Sequence, residues 1–300
     1  MTLDRFFLAC ALMSLLGIAN AAEADPQSSV RVIVYAKPFQ PGDSSQMYQV
    51  KLLSAALHKV GIDHLLVPSQ TPMLQERALR TIADNQGVDV FWSLTTVERE
   101  QQLRPVRFPI DKGLYGWRLL LVSDRPNTPP QKVQRLVDLN HWVFTQGHDW
   151  PDTFILRHNN LNVVASNNFQ SMVEMVNLHR VHAFPRSAIE VWREQRELHL
   201  PLVVEQNLVL HYPIALYYFF SKEQEQLAQQ VEQGLELLRQ SGEFDALFNA
   251  EFGDAIEQSA FHQRRIIELL NPMLPAATPL DRAELWFHPA PNPQGLFPNE

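Results

Sequence analysis

Short apolar, β-favouring runs alternate with amphipathic helical stretches along this chain, and that order restricts its folds most. Residues 30–35 (VRVIVY) read as a strand. Val50, Leu53, Leu57 and Val60 then recur at helical spacing, and Gly61 stops the helix. Residues 64–67 form a second expected strand, Leu74, Ala78, Leu79 and Ile82 the stripe of a second helix, and a third strand opens at Val88. A β-α-β-α-β run implies a parallel sheet with right-handed crossovers. Residues 103–110, with Pro105 and Pro109, suit an edge or crossing segment. Residues 114–122 (LYGWRLLLV) are a strong strand, and 124–131 carry three prolines and read as a surface connection.

The alternation then restarts. Strands are expected at 142–145, 162–165 and 181–184. Helices are expected after Pro151, on Phe169, Met172, Val173 and Val176, and over 187–197. Residues 214–220 return the chain, and amphipathic helices over 224–240 and 244–252 close the core. The tail from Asn271 carries seven prolines, with residues 285–287 (LWF) expected to pin it to the body. The fold class is therefore α/β, in two lobes with the second inserted in the first. The expected division is 22–113 and 222–270 for the first lobe, 114–221 for the second, and 271–300 for a Pro-rich tail.

Arg5, an apolar run from Phe6 to Ile18 and Ala19-Asn20-Ala21 read as a cleaved secretory signal over 1–21. The run is too short for a permanent membrane anchor. The expected location is the periplasm. The only cysteine, Cys10, lies inside that signal, so neither a disulfide nor a thiolate metal site is expected in the mature chain. Losing Asp4 and Arg5 with the signal leaves the net charge at −8. Such mild acidity excludes a general nucleic-acid or anionic-membrane binder.

Residues 88–99 (VDVFWSLTTVER) begin as a buried strand and turn abruptly polar. A strand ending in hydroxyls and an Arg fits the crevice of an open α/β sheet, where ligands bind. The plainer alternative is a Thr-capped short helix with a solvated Glu98-Arg99 pair. Both stay open on the residues alone.

With the order of elements in place, the chain resembles the type 2 periplasmic solute-binding proteins, especially the family 3 group that binds polar amino acids. The resemblance covers about residues 30–252. It is carried by Asp89-Val90 through Thr96-Val97-Glu98-Arg99, Arg107-Phe108-Pro109, Thr145-Gln146-Gly147, Arg180 to Phe184, and Gly242 to Phe248. It implies two lobes closing by a hinge on a small polar solute. It also implies an Arg three residues after a Thr binding the solute's carboxylate; Thr96 and Arg99 match. A guanidinium suits that task through two parallel charge-assisted hydrogen bonds. The Asp that usually holds the ammonium falls on or near Ser187.

The second lobe's contribution is read from residues 147–152 (GHDWPD). Asp149 is the expected N-cap and Pro151 the first-turn proline of a helix. Two carboxylates, Asp149 and Asp152, at that positive end favour an ammonium or neutral donor on this wall. Tyr35, Trp92 and Trp150 are candidate aromatic walls and Arg186 a rim charge. Thr95 joins Thr96 beside Arg99.

No metal-ligand spacing, G-x-S-x-G or P-loop occurs, so no cofactor and no catalytic residue is expected. The function expected is solute binding for an ABC transporter permease or a membrane sensor. An enzyme on the same fold acting on a small acid, with Asp152 or Glu98 as its acid-base group, is the alternative of a different class. A homologue that no longer binds solute is the third.

Overall fold

The computed structural model describes residues 30–37, 47–124 and 133–289. The expected signal and most of the expected 124–131 connection lie outside them.

The first lobe opens with β1 (Arg31–Tyr35), α1 (Met47–Lys59), β2 (His64–Pro68), α2 (Gln75–Ala83), β3 (Phe91–Leu94), α3 (Val97–Gln102) and β4 (Arg104–Val106). β1 and β2 pair in parallel, and Tyr35 bridges in parallel to Val90 just ahead of β3. The expected β-α-β-α-β run is therefore present, with Val90 joining β1 and the following residues a second sheet. Asp89 ties this junction, its carboxylate accepting from Val34 N at 2.7 Å.

After a 3-10 turn at Leu114–Gly116 come β5 (Trp117–Ser123), β6 (Val143–Gly147), α4 (Pro151–His158), β7 (Asn162–Ser166) and α5 (Phe169–Asn177). β8 (Phe184–Ser187), α6 (Val191–Glu197), β9 (Leu202–Val204) and β10 (Leu208–His211) follow. All seven residues of β5 are buried, as its apolar run predicts for a central strand. β5 pairs antiparallel with β8, β9 and β10, while β6 and β7 form a separate parallel pair.

β11 (Leu216–Phe220) pairs antiparallel with β3 and β4. It thus belongs to the first lobe's sheet, although the expected boundary at 221 left it in the second. The apolar run LYYFF is buried throughout because it is the centre of a three-stranded sheet. α7 (Glu225–Gln240) then packs on α1, and α8 (Glu243–Ser259) runs longer than the expected 244–252.

A second correction concerns the expected first-lobe span 222–270. Within it, β12 (Arg265–Glu268) pairs in parallel with β10, extending the second lobe's sheet. Ile267 and Leu269 are buried in the second lobe's apolar cluster, which outweighs the short length of this strand. The chain therefore passes between the lobes more often than the two crossings expected.

One contiguous apolar cluster runs from Leu52, Leu53, Val231 and Phe244 through Ile110, Leu114 and Trp117 to Leu119, Val173 and Phe184. Among the described residues, no helix is long and apolar enough to cross a membrane.

Candidate functional site

A cleft of about 910 Å³ lies between α2 and α3 on one side and the start of α4 on the other. Thr96, Glu98, Arg99, Glu76, Arg80 and Asp84 line it from the first lobe. His148, Asp149, Trp150, Phe154 and Arg157 line it from the second, and Met273 of the C-terminal segment completes the wall.

On the first wall, β3 delivers the chain into α3, and Thr96 is the N-cap, its hydroxyl accepting from Arg99 N at 3.2 Å. The cap reading of Thr96 and its place in the cleft are therefore both realised. Arg99 folds back over this turn. Its Nη1 donates to Ser93 Oγ at 2.8 Å and Leu94 O at 2.7 Å, while Nη2 meets Glu76 Oε1 at 2.7 Å. The Arg99 side chain is 13% exposed and that of Glu76 is 75% exposed, so one guanidinium nitrogen is held by the protein and the other by a solvent-facing partner. Thr95 is buried and donates to Glu100 Oε1 at 2.7 Å, away from the cleft lining.

On the second wall, Gly147 ends β6 with the Trp150 indole lying against its Cα. A Cβ there would sit 2.3 Å from Trp150 Cδ2, so only glycine admits this packing. Trp150, not Asp149, is the N-cap residue of α4, and it makes no side-chain capping hydrogen bond. Asp149 is one residue further out, exposed, with its carboxylate 3.6 Å from the His148 ring. Pro151 takes the first helical position as expected.

Asp152 is oriented differently from the expectation. It is buried, with Oδ1 at 2.5 Å from Arg118 Nη2, and it accepts a hydrogen bond from the Tyr212 hydroxyl. Arg118 Nε in turn donates to Tyr212 Oη at 2.8 Å. Arg186 is buried beside this group and donates to Glu194 Oε2 at 2.8 Å from Nε, with Nη2 at 3.2 Å from Glu190. Its guanidinium lies over the Trp150, Phe184 and Phe169 rings at 5.0, 5.3 and 5.8 Å. Arg186 is thus no rim charge.

Burial opposes charge on both guanidiniums, yet the surrounding acids prevail and raise their pKa values, Asp152, Tyr212 and Glu190 for Arg118, Glu190 and Glu194 for Arg186. Burial likewise pushes Glu190 upward, which Arg186 and Arg118 oppose. The physical reason for this network is desolvation: buried charges must pair, and these pair with one another.

Two aromatic candidates also move out of the cleft lining. Trp92 is 7% exposed in the core, stacked on Phe91 at 5.6 Å and edge-on to Tyr218 at 6.4 Å. Tyr35 is half-buried against Trp92 at 6.0 Å. Their strand positions put them on apolar faces that the sheets must bury.

Of the nominated residues, the structure therefore brings Thr96, Glu98, Arg99, Asp149 and Trp150 together at the cleft. It adds Glu76, Arg80, Asp84, Phe154 and Arg157, which the sequence did not single out. The charged ones lie on or just past helix faces whose pattern matches an ordinary solvated face, and Phe154 is a single exposed aromatic. Among the described residues, no group of three or more His, Cys, Asp or Glu is placed to hold a metal ion.

No family model matches the chain, and no curated protein matches it. Solved structures do. A probable amino-acid ABC transporter extracellular-binding protein, ytmK from Bacillus subtilis, aligns over 75% of this chain and 99% of its own, with TM-score 0.57 and 16% identity. The VFT2 domain of Bordetella pertussis BvgS aligns over 74% and 93%, with TM-score 0.53 and 13% identity. A putative binding component of an ABC transporter from Wolinella succinogenes, complexed with lysine, aligns over 75% and 96%, with TM-score 0.52 and 15% identity. At such identities the likeness concerns the backbone, and it extends over nearly the whole of each neighbour. The chain has the two-lobed type 2 periplasmic-binding-protein fold, with mixed α/β lobes.

Proposed function

We propose that this is an exported, periplasmic solute-binding protein that holds a small polar solute, amino-acid-like or carboxylate-bearing, between its lobes. It would present that solute to an ABC transporter permease or a membrane sensor. The observation carrying this reading is the cleft walled by both lobes, with Arg99 at its edge. The fold neighbours support the same class, since two are described as ABC transporter binding components and one of these is complexed with lysine.

Arg99 suits a carboxylate because Glu76 is a weak competitor. An ion pair to a partner this exposed is worth about 0–1 kcal/mol, so a solute carboxylate displaces it from Nη2 at little cost. Nη1 stays with Ser93 and Leu94 and keeps the guanidinium aimed. Of the two nominated acids, Asp152 is withdrawn from the cleft lining by its pairing with Arg118, which weakens the enzyme alternative, while Glu98 stays exposed on that lining.

A second reading has one observation in its favour. Asp152 and Arg186 are engaged inside the second lobe, so that wall offers a solute fewer charges than expected, as in a homologue without solute binding.

A thermal-shift screen of the mature protein against amino acids, organic acids and polyamines decides between them. A bound solute at a hundredfold excess over Kd raises stability by about 2.7 kcal/mol. A carboxylate-bearing hit whose shift disappears in Arg99→Ala supports the first reading, and no shift with any solute supports the second. N-terminal sequencing of exported protein should find Ala22, or a residue or two beyond, at the start.

A further inference from the structure

The segment after α8 grips both lobes and the two connections at Lys112–Gly113 and Pro213. On the second lobe, β12 hydrogen-bonds along β10, and Leu269 N continues the ladder to His211 O at 2.7 Å. Asn159 and Leu270 exchange two hydrogen bonds, at 2.8 and 2.9 Å. On the first lobe, Met273 O accepts from Val97 N at 3.3 Å, and Arg282 Nη2 donates to Glu236 Oε2 of α7 at 3.0 Å. The connections themselves are held as well. Asn271 Nδ2 donates to Pro213 O at 2.9 Å, and Phe287 N donates to Lys112 O at 2.8 Å. Trp286 lies on Gly113, where a Cβ would sit 2.6 Å from Cε3 and where φ is +72°. The Phe287 ring packs on Trp117 and Phe261 at 5.7 and 5.4 Å.

Hinge closure needs a few connecting residues free to absorb backbone rotation. Here the best placed of them, Gly113, has an indole wedged against it, and the opposite connection is tied through Pro213. Lys112 is further fixed to Asp245 at 2.5 Å, and Tyr48 Oη donates to Ile110 O at 2.7 Å. Pro272, Pro275 and Pro279 restrict the backbone of the segment between its anchor points.

We propose that residues 264–287 form a clamp across the hinge that holds the two lobes at one fixed opening. Where the proposed solute-binding reading holds, its consequence is that solute occupies a preset cleft instead of driving a large closure.

The test needs no solute. Cys10, the only native cysteine, is replaced by serine, and spin labels are placed at Lys51→Cys on α1 and Glu174→Cys on α5, both exposed. The labelled parent should give one narrow interlobe distance distribution. Trp286→Ala with Phe287→Ala, folded by circular dichroism, should broaden and displace it. If that pair proves necessary for folding, Arg282→Ala with Asn271→Ala leaves the apolar contacts in place and should broaden it too. A parent already spread over open and closed distances overturns the clamp, as do folded variants indistinguishable from a narrow parent. Because these distances are read on the solute-free chain, absence of any ligand leaves the test intact. A solute that binds and shifts the parent's distances overturns the clamp while supporting solute binding.

Discussion

The charged group behind the second wall of the cleft and the one on its first wall are arranged in opposite ways. On the second lobe, Arg118, Asp152, Arg186, Glu190 and Glu194 are drawn inward, and the guanidiniums of Arg118 and Arg186 are fixed by carboxylates and aromatic faces. On the first, Arg99 keeps one side on the protein and offers the other to an exposed Glu76. The difference teaches that nearness to a crevice does not make a charged residue a ligand contact. Its availability depends on how deeply its partners are buried. Removing one member of a buried pair leaves the other uncompensated, whereas removing an exposed partner leaves water to replace it.

The largest effect expected from that contrast is on stability. Asp152→Ala leaves buried Arg118 with only Glu190, at 3.7 Å, as a carboxylate partner and should lower unfolding free energy by about 3 kcal/mol, measured by urea denaturation. A loss comparable to that of a surface substitution would remove the distinction between the walls.

A smaller, pH-dependent effect is expected at the connection joining them. Burial raises the Asp111 carboxyl from 3.8 to about 6, against hydrogen bonds from the Tyr115 and Gly113 amides. The folded state therefore holds this proton more tightly than the unfolded chain. Its stabilising contribution is fully present below about pH 4 and lost as pH rises through about 6, amounting to about 3 kcal/mol at most. Asp111→Asn should remove that contribution, so the variant's stability relative to wild type should climb between pH 4 and pH 7. A constant difference across that range contradicts the assignment.

The smallest stability effect belongs to the first wall. Glu76→Ala should change unfolding free energy by no more than about 0.5 kcal/mol, because its side chain is mostly in water. With Arg99 Nη2 released, a carboxylate-bearing solute found in the screen should bind more tightly than to wild type. Weaker binding would show that Glu76, not Arg99, makes the contact. Such a result would sharpen the contrast into one between two kinds of acid.

Much of the framework was legible locally. Strands β1 and β5, and the apolar faces of α1, α2, α5 and α7, follow from periodicity because each buries apolar residues within its own lobe, while β2 and β7 were legible from their β-favouring residues although none of these is fully buried. The strand β12, with only Arg265-Ile266-Ile267-Glu268, carries little local signal, and its partner β10 lies before two long helices. Its register depends on a surface that exists only after the second lobe has formed. Thr96 could be singled out as a cap because capping uses hydroxyl residues at fixed spacing, whereas Arg99 is nominated through the family resemblance. Glu76 and Arg157 could not, since a helix face toward a cleft and one toward solvent have the same polar pattern.

Local sequence patterns set most of the order of strands and helices, the two-lobed α/β division and the helix-capping turn that carries Arg99. These rest on spacings of a few residues, where backbone geometry and apolar burial act directly. The tertiary structure alone decided which charges remain available and how the lobes are joined. Arg118 finds Tyr212 94 positions away, and Leu270 finds Asn159 111 positions away. Desolvation and pairing across such separations depend on which surfaces meet, and no local pattern encodes that meeting.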